Sequence, residues 1–183
     1  LHDALPISGG LYISDAIELE SFKQGGTGSE SMSMRQPNFL PDKFESGTLN
    51  TPGIAGLYEG IRFIRKLGIE NIRKHEIMLV EYLVKELCKL PYVKIYGGTN
   101  YNNRGAVVSL NIDNVDVSEV GSILNKKGIA VRTGFHCAPL IHQIIGTSQK
   151  GTIRISPGYF NNLDDIEKLI KVLREIHEKR PLL

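Results

Sequence analysis

The chain has 183 residues, 41% of them hydrophobic, which is enough to bury a core and to form one or two domains. The net charge is only +2 and no apolar run is long enough to cross a bilayer, so we expect neither a nucleic acid nor a membrane as a partner. The two cysteines, Cys88 and Cys137, form no CxxC pair and no disulfide framework, which favours a reducing cytoplasm.

The chain begins without a methionine, in the segment LHDALPIS, which lacks the basic start and the longer apolar run of a secretion signal. GGLYIS follows, and residues 11–14 read as a short buried strand. A chain that begins so close to a strand is typical of a fragment. We therefore treat residues 1–8 as a candidate non-native segment.

Residues 24–53 are rich in Gly, Ser, Thr, Asn and Pro and show no periodicity, which indicates a functional loop or a linker. GGTGS at residues 25–29 has the composition of a phosphate-binding loop. It fails the dinucleotide-binding pattern, however, because no strand–loop–helix unit follows it. A flexible loop without a ligand is the alternative for this stretch.

The stretch ESGTLNTPG, residues 45–53, places hydroxyl and amide side chains directly before a predicted helix. Free backbone N–H groups and the helix dipole favour a phosphate or a carboxylate at such a point. The simpler alternative is that Thr51 caps the helix and Pro52 occupies its first position. Both readings hold together, since capping and anion binding use neighbouring groups.

Apolar residues at three- and four-residue steps predict a helix over residues 54–67, which Gly68 caps. A second helix is predicted over residues 72–87 and ends before Pro91. Cys88 lies in its last turn, beside Leu87 and Leu90. We interpret Cys88 as a small buried apolar residue.

The remaining sequence alternates strands and helices, and either Asp116 or Ser118 is positioned to cap the first of these helices. The alternation of strands and helices indicates an α+β unit with helices on one face of a sheet. The predicted strands are residues 93–97, 105–112, 129–134 and 151–157, and the predicted helices are residues 116–128 and 163–179.

RTGFHCAP, residues 132–139, surrounds Cys137 with groups that suit a nucleophile. A thiol reacts as its thiolate, which neighbouring Arg or His cations favour, and Arg132 and His136 are the candidates here. A structural cysteine is the alternative. Zinc binding by Cys137, His136 and His142 is disfavoured because the stretch offers only one thiolate, so we predict no metal site.

Arg154 lies in GTIRISP, a strand otherwise built of small or apolar residues. A guanidinium in such a place needs a partner, and its planar fork suits the carboxylate of a substrate. A structural ion pair with an acidic side chain is the alternative.

Four stretches in this order resemble the C-terminal part of the cysteine desulfurase and selenocysteine lyase family, from Gly9 to Glu178. These enzymes are class V, fold-type I relatives of aminotransferases that use pyridoxal 5'-phosphate (PLP). The resemblance implies an α/β fold, with the end of a large domain, a linking helix and an α+β small domain. The stretches are QGGTGS, FESGTLNTPGIAGL, VRTGFHCAP and GTIRISPGYFNNLDDIEKLI.

The resemblance also implies roles for single residues. Cys137 matches the catalytic cysteine that accepts sulfur as a persulfide, and Arg154 matches the arginine that holds the substrate carboxylate. Thr48, beside Gly47, matches the threonine that reaches the PLP phosphate of the partner subunit in a homodimer. Arg132 and His136 are given supporting roles at the substrate. The implied products are L-alanine and an enzyme persulfide, whose sulfur passes to an acceptor protein.

The sequence departs from the family where its Schiff-base lysine is expected. That lysine precedes a glycine-rich turn and a strand like GGLYIS, and residues 1–8 contain no lysine. Lys23 and Lys43 do not match the position. We therefore expect this chain to be a fragment that cannot bond PLP covalently by itself.

The resemblance divides the chain into four parts. Residues 9–52 are the end of the PLP-binding large domain with its active-site loops, and residues 53–90 are linking helices. Residues 91–183 are the C-terminal small domain, while residues 1–8 stay apart as the candidate non-native segment.

Three alternatives to a desulfurase acting on L-cysteine remain. A class V aminotransferase keeps the fold but needs no thiol in RTGFHCAP. A selenocysteine lyase uses the same site for selenium. A persulfide carrier or interaction module would be no enzyme and would use Cys137 only to accept sulfur.

Overall fold

The computed structural model describes residues 9–98 and 104–178, and it divides the chain into two compact units, Leu1–Lys66 and Leu67–Leu183. Residues 1–8, interpreted above as a candidate non-native segment, lie outside the described residues, as does position 179 of the last predicted helix. The four-part division of the chain into 1–8, 9–52, 53–90 and 91–183 stays a prediction.

The first unit begins as extended chain and turns. The strand predicted over residues 11–14 is wrong, because none of the described strands pairs with this segment, whose first two side chains are exposed and next two are half-buried. Leu11 is 70% exposed and Tyr12 is 91% exposed. Within residues 9–50, the regular structure consists of two short 3-10 helices, Gly28–Glu30 and Asp42–Phe44.

Helix α1 spans Thr51–Leu67 and begins at a side-chain cap. The Asn50 carboxamide oxygen accepts a hydrogen bond from the Gly53 N–H at 3.1 Å, and the Asn50 carbonyl accepts from Ile54 at 2.9 Å. Asn50 is therefore the cap, and the assignment of that role to Thr51 is wrong by one residue. The apolar face of α1 is about half exposed.

The second unit begins with helix α2, Ile69–Leu87, which follows Gly68 at a φ of 82°. Five residues of α2 enter the core: Leu79, Val80, Leu83, Val84 and Leu87. Cys88, directly after the helix, is exposed. The interpretation of Cys88 as a buried residue is therefore wrong. Leu87, the last residue of α2, lies on the buried face of the helix, and the next residue along the chain points away from that face.

A four-stranded antiparallel sheet forms the centre of the second unit, with strand order β1-β2-β4-β3. Helix α4, Pro139–Ile144, lies between β3 and β4 along the chain. The sequence pattern treated this segment only as an apolar stretch, and with the helix included the observed order of elements is β-β-α-β-α-β-α. The strands are β1 Val93–Tyr96, β2 Val108–Ile112, β3 Arg132–Gly134 and β4 Thr152–Ile155; the helices are α3 Val117–Lys126, α4 Pro139–Ile144 and α5 Leu163–Glu178.

One face of this sheet is buried and the other carries polar side chains. Along β2, Val108, Leu110 and Ile112 are buried in alternation with less buried neighbours, as the period of two requires. The same apolar cluster contains residues of α2, α3 and α5, so the helices pack on this face as predicted. Arg154 alternates with buried Ile153 and Ile155 and therefore lies on the opposite face.

Asp116 caps helix α3, and this prediction is confirmed. Its carboxylate accepts a hydrogen bond from the Ser118 N–H at 2.8 Å. That bond is the main reason that the pKa of Asp116 lies below its usual value.

Candidate active site

Two arginines lie side by side on the polar face of the sheet. Strands β3 and β4 pair so that Arg132 and Arg154 are direct neighbours across the ladder. Like charges in opposite positions repel each other and weaken the pairing of the two strands. An arrangement that tolerates this repulsion is suited to hold an anion between or above the guanidinium groups.

Two glycines allow the chain after β3 to approach β4 closely. Gly134 has a φ of 103° and Gly151 a φ of 69°. A Cβ on Gly151 would lie 2.6 Å from the carbonyl carbon of Gly134, which is too close for any side chain. The close approach places the segment that follows Gly134 directly beside the start of β4.

Cys137 lies in a tight turn with an unusual backbone. The Ala138 N–H donates to the Phe135 carbonyl at 2.9 Å and so closes a four-residue turn. Its two central residues, His136 and Cys137, have φ values of 52° and 58°. Residues other than glycine adopt this conformation at a cost of about 1–3 kcal/mol each, and only where surrounding contacts hold them.

The turn presents the thiol to solvent beside a cation. Cys137 is exposed. The Nη2 of Arg132 donates a hydrogen bond to its Sγ at 3.5 Å. An exposed sulfur with a guanidinium donor has the surroundings of a reactive cysteine more than those of a structural one.

His136 turns toward β4. Its Nε2 lies 3.2 Å from the Thr152 carbonyl and 3.0 Å from the Thr152 hydroxyl. Because the carbonyl can only accept, a hydrogen bond to it requires the proton on Nε2. Burial, and next the Arg154 guanidinium, lower the pKa of His136 below its usual value. The neutral ring leaves Nδ1 buried, with no hydrogen-bond partner among the described residues. The lowered pKa favours the neutral form of His136, so the guanidinium of Arg132, which donates to the thiol, is the stronger candidate for the positive charge beside Cys137.

Arg154 has an unused donor. Its Nε is buried and has no hydrogen-bond partner within residues 9–98 and 104–178. A buried donor without a partner costs free energy, which a ligand carboxylate would recover. This favours a bound anion over the structural ion pair that was the alternative for Arg154.

His142, in α4, contributes to the site although the sequence suggested it only as a zinc ligand. It is 3% exposed. Its Nδ1 lies 2.7 Å from the Thr147 hydroxyl and its Nε2 lies 3.1 Å from the Phe135 carbonyl. Both nitrogens are therefore used within the protein. A histidine inside the apolar run PLIHQII could have indicated such a buried, fully bonded side chain.

Gly47 and Thr48 belong to the first unit, where they lie in a turn that meets the glycine-rich segment. The Gly47 N–H donates to the Gly26 carbonyl at 3.0 Å. A Cβ on Gly26 would lie 2.8 Å from the Cα of Gly47, so only glycine fits there. Both glycines have positive φ, and Thr48 is exposed beside them.

The sequence model of the family described as Aminotransferase class-V matches residues 9–169. The chain belongs to this family. Curated relatives include the cysteine desulfurases of Salmonella agona and Salmonella typhimurium, each 33% identical over 172 residues, or 91% of this chain. The chain spans 41% of the length of these relatives.

Solved structures of the family share the fold. The apo cysteine desulfurase of Thermococcus onnurineus is 33% identical with a TM-score of 0.74, over 80% of this chain and 36% of that one. The S-sulfonic acid form of an Escherichia coli cysteine desulfurase has a TM-score of 0.72 at 22% identity, over 87% and 39% of the two chains. These matches confirm the α/β fold as part of a fold-type I domain.

The class V assignment does not test the roles of single residues. Those of Cys137, Arg154, Arg132, His136 and of the pair Gly47–Thr48 stay predictions. None of the described helices is long and apolar enough to span a membrane.

Proposed function

We propose that this chain is part of a PLP-dependent cysteine desulfurase that transfers the sulfur of L-cysteine to Cys137. One observation carries the proposal: an exposed thiol, held on a strained turn, accepts a hydrogen bond from Arg132 on the sheet face that also carries Arg154. The desulfurase names of the curated relatives, which match 91% of this chain, add support.

Arg154 binds the carboxylate of the substrate in this proposal. Its buried Nε has a free donor, and a guanidinium fork can give a carboxylate two parallel hydrogen bonds. Arg132 adds positive charge from the neighbouring strand and remains beside the thiol. The two arginines thus divide the work, one for the carboxylate and one for the sulfur.

Gly47 and Thr48 fit the phosphate of PLP. The close approach of Gly26 to Gly47 leaves a turn without side-chain bulk, and the Thr48 hydroxyl lies at its surface. When bound, PLP supplies an electron sink that allows the carbon–sulfur bond of L-cysteine to break. In the complete enzyme, a homodimer, Thr48 would contact the cofactor of the partner subunit.

The sulfur transfer itself uses the thiolate of Cys137. The thiolate attacks the sulfur of L-cysteine, a sulfur–sulfur bond forms, and the carbon–sulfur bond breaks. The electron pair of the broken bond, with a proton, ends on the carbon of L-alanine. L-cysteine and an enzyme thiol thus become L-alanine and an enzyme persulfide.

His136 assists by accepting a hydrogen bond at the substrate. Its Nε2–H is committed to Thr152, while its neutral Nδ1 is an acceptor that has no partner in the part of the chain that the structure describes. An acceptor beside two guanidinium groups suits the ammonium or thiol proton of an amino acid substrate.

The sulfur then leaves for an acceptor protein, of which an iron–sulfur assembly scaffold is one kind. We place the reaction in the cytoplasm, because both thiols are free and the proposed chemistry needs Cys137 reduced.

The experiment compares two cysteine variants of the enzyme extended to the length of its relatives. Cys137→Ala should reduce sulfur release from L-cysteine by a factor on the order of 1,000 or more, because the nucleophile is lost. Cys88→Ala is the matched control, since Cys88 is also exposed but lies after α2, and it should leave the rate within about twofold of the parent.

Sulfur release that survives in Cys137→Ala would exclude the proposed mechanism. Loss of sulfur release with retained selenium release from selenocysteine would support the thiol-dependent step for sulfur and add the lyase activity. Amino-group transfer without any sulfur release in the parent would favour an aminotransferase instead.

A further inference from the structure

The turn that carries Cys137 needs contacts that hold it. Two consecutive residues, His136 and Cys137, have positive φ, a conformation that favours glycine or asparagine. One backbone hydrogen bond, from Ala138 to the Phe135 carbonyl, closes the turn. A single bond of this kind contributes about 1 kcal/mol, which is less than the strain of two such residues.

His142 supplies a second bond to the same carbonyl. A carbonyl oxygen accepts two hydrogen bonds, and Phe135 receives one from the Ala138 N–H and one from the His142 Nε2–H, at 3.1 Å. Because the carbonyl cannot donate, Nε2 must carry the proton. Nδ1 lies 2.7 Å from the Thr147 hydroxyl, so the opposite edge of the ring is also held.

The ring of His142 also packs against the turn. Its centroid lies 5.3 Å from that of Phe135, with the rings nearly perpendicular at 87°, and 5.9 Å from that of His136. His142 is 3% exposed, so its position is fixed by packing as well as by hydrogen bonds. The residue thus packs against both residues that precede Cys137 in the turn.

We propose that His142 is a positioning residue that holds the turn of Cys137 in its strained form and so keeps Sγ beside Arg132. It does not contact the thiol and acts through its hydrogen bond to the Phe135 carbonyl and its packing against Phe135 and His136. The inference rests on the proposed function in one respect, the role of Cys137 as nucleophile. Its consequence for thiol reactivity needs neither cofactor nor turnover.

The test measures the rates at which iodoacetamide alkylates Cys137 and Cys88 in the same 183-residue chain, by mass spectrometry of the two peptides at one fixed pH. Both thiols are exposed, but among the described residues only the Cys137 thiol has a guanidinium donor. Cys88 instead follows the C-terminal end of a helix, where the helix dipole disfavours an anion. We therefore expect Cys137 to react faster than Cys88. The ratio of the two rates reports the turn and cancels differences in protein concentration and reagent.

Two matched amide variants separate the two edges of the imidazole ring. The amide nitrogen of His142→Gln can reach the position of Nε2 and donate to Phe135, whereas His142→Asn is one carbon shorter and reaches only the Thr147 side. We expect the rate ratio to stay within about twofold of the parent in the Gln variant and to fall about threefold or more in the Asn variant. Cys137 is already exposed, so a looser turn gains little access and loses its contact with Arg132.

A double mutant gives a readout that a purely structural role would not move. In an Arg132→Gln background, the contact that His142 maintains is already gone, so His142→Asn should change the ratio less than about twofold. Equal ratios in the Gln and Asn variants, or an undiminished effect of His142→Asn in the Arg132→Gln background, would overturn the proposal.

A general loss of structure is distinguishable from the proposed effect. It would bring the two thiols to the same rate in both amide variants, and this result also counts against the proposal. A failed desulfurase test with a confirmed rate ratio would remove the proposed reaction and leave the positioning role intact. A confirmed desulfurase test with a rate ratio that His142→Asn does not lower would support the proposed reaction and exclude the positioning role of His142.

Discussion

The two units hold their predicted functional residues in different ways. In the second unit, Arg132 and Arg154 lie on a sheet whose other face is a continuous apolar core, and Cys137 lies on the turn that follows β3. In the first unit, Gly47 and Thr48 lie on a turn held by a backbone hydrogen bond to Gly26, and the large apolar side chains around residue 11 are in solvent.

The difference indicates which unit can fix the positions of its functional side chains without a ligand. Strand register and a buried core place Arg132 opposite Arg154 regardless of any ligand. The first unit relies on glycines that tolerate positive φ and on close backbone contacts. We therefore expect substitutions in the second unit to act through stability and side-chain position, and those before α1 to act through ligand binding.

Removing core volume should give the largest effect and the clearest contrast. Leu110→Ala deletes a side chain that is 0% exposed and should lower the free energy of unfolding by about 2–5 kcal/mol. Leu11→Ala, the matched change at a 70% exposed position, should alter it by less than about 0.5 kcal/mol. Denaturant unfolding of the chain measures both, and similar losses would remove the contrast between the units.

Removing the guanidinium fork should come next. Arg154→Lys keeps the charge but cannot give a carboxylate two parallel hydrogen bonds, so kcat/KM for L-cysteine in the full-length enzyme should fall on the order of 10- to 100-fold. Arg174→Lys is the control, because Arg174 pairs with Glu86 at 3.7 Å on the helical side of the unit. Equal effects of the two substitutions would argue against a substrate contact by Arg154.

Two glycine substitutions sharpen the comparison at a smaller scale. Gly151→Ala forces a Cβ against Gly134 at positive φ and should destabilise the second unit by more than about 1 kcal/mol in denaturant unfolding. Gly26→Ala meets a similar clash with Gly47 in a segment without a core, so it should weaken PLP binding, measured by equilibrium titration of the full-length enzyme, while global unfolding changes little. The opposite pattern would contradict the assigned roles.

The pH dependence of His136 should give the smallest effect. Its pKa is lowered, first by burial and then by Arg154, so the folded state binds fewer protons than the unfolded state. The contribution of His136 to stability is thus complete above its usual pKa of about 6.5 and is lost as the pH falls through the lower folded value. NMR titration should give a midpoint below 6.5, raised by Arg154→Gln but not by Arg174→Gln. A midpoint at or above 6.5 would show that the ring is not buried as described.

The sequence predicted most of the second unit, because its patterns are periodic. The apolar spacing in α2 and α5 and the alternation in β2 reflect burial on one face, which local sequence records directly. Helix α4 was missed because six residues are too few for a helical period to show. The strand predicted over residues 11–14 was wrong because an apolar run does not supply the partner strand that a sheet requires.

The sequence supplied candidate site residues, whose roles stay predictions, but not the contacts between them. RTGFHCAP pointed to Cys137 and Arg132, which lie in contact at 3.5 Å. The lowered pKa of His136 depends on its burial and on the nearby Arg154 guanidinium, and only the tertiary fold brings these together. The bond from His142 to the Phe135 carbonyl likewise depends on α4, whose existence the sequence pattern did not predict.

The most direct measurement is to locate the transferred sulfur. The full-length enzyme is incubated with PLP and L-cysteine, the remaining thiols are alkylated, and the peptides are analysed by mass spectrometry. If Cys137 accepts the sulfur, we expect a mass gain of one sulfur atom on the peptide that contains Cys137 and none on the peptide that contains Cys88. L-alanine formation with no sulfur on Cys137 would contradict it.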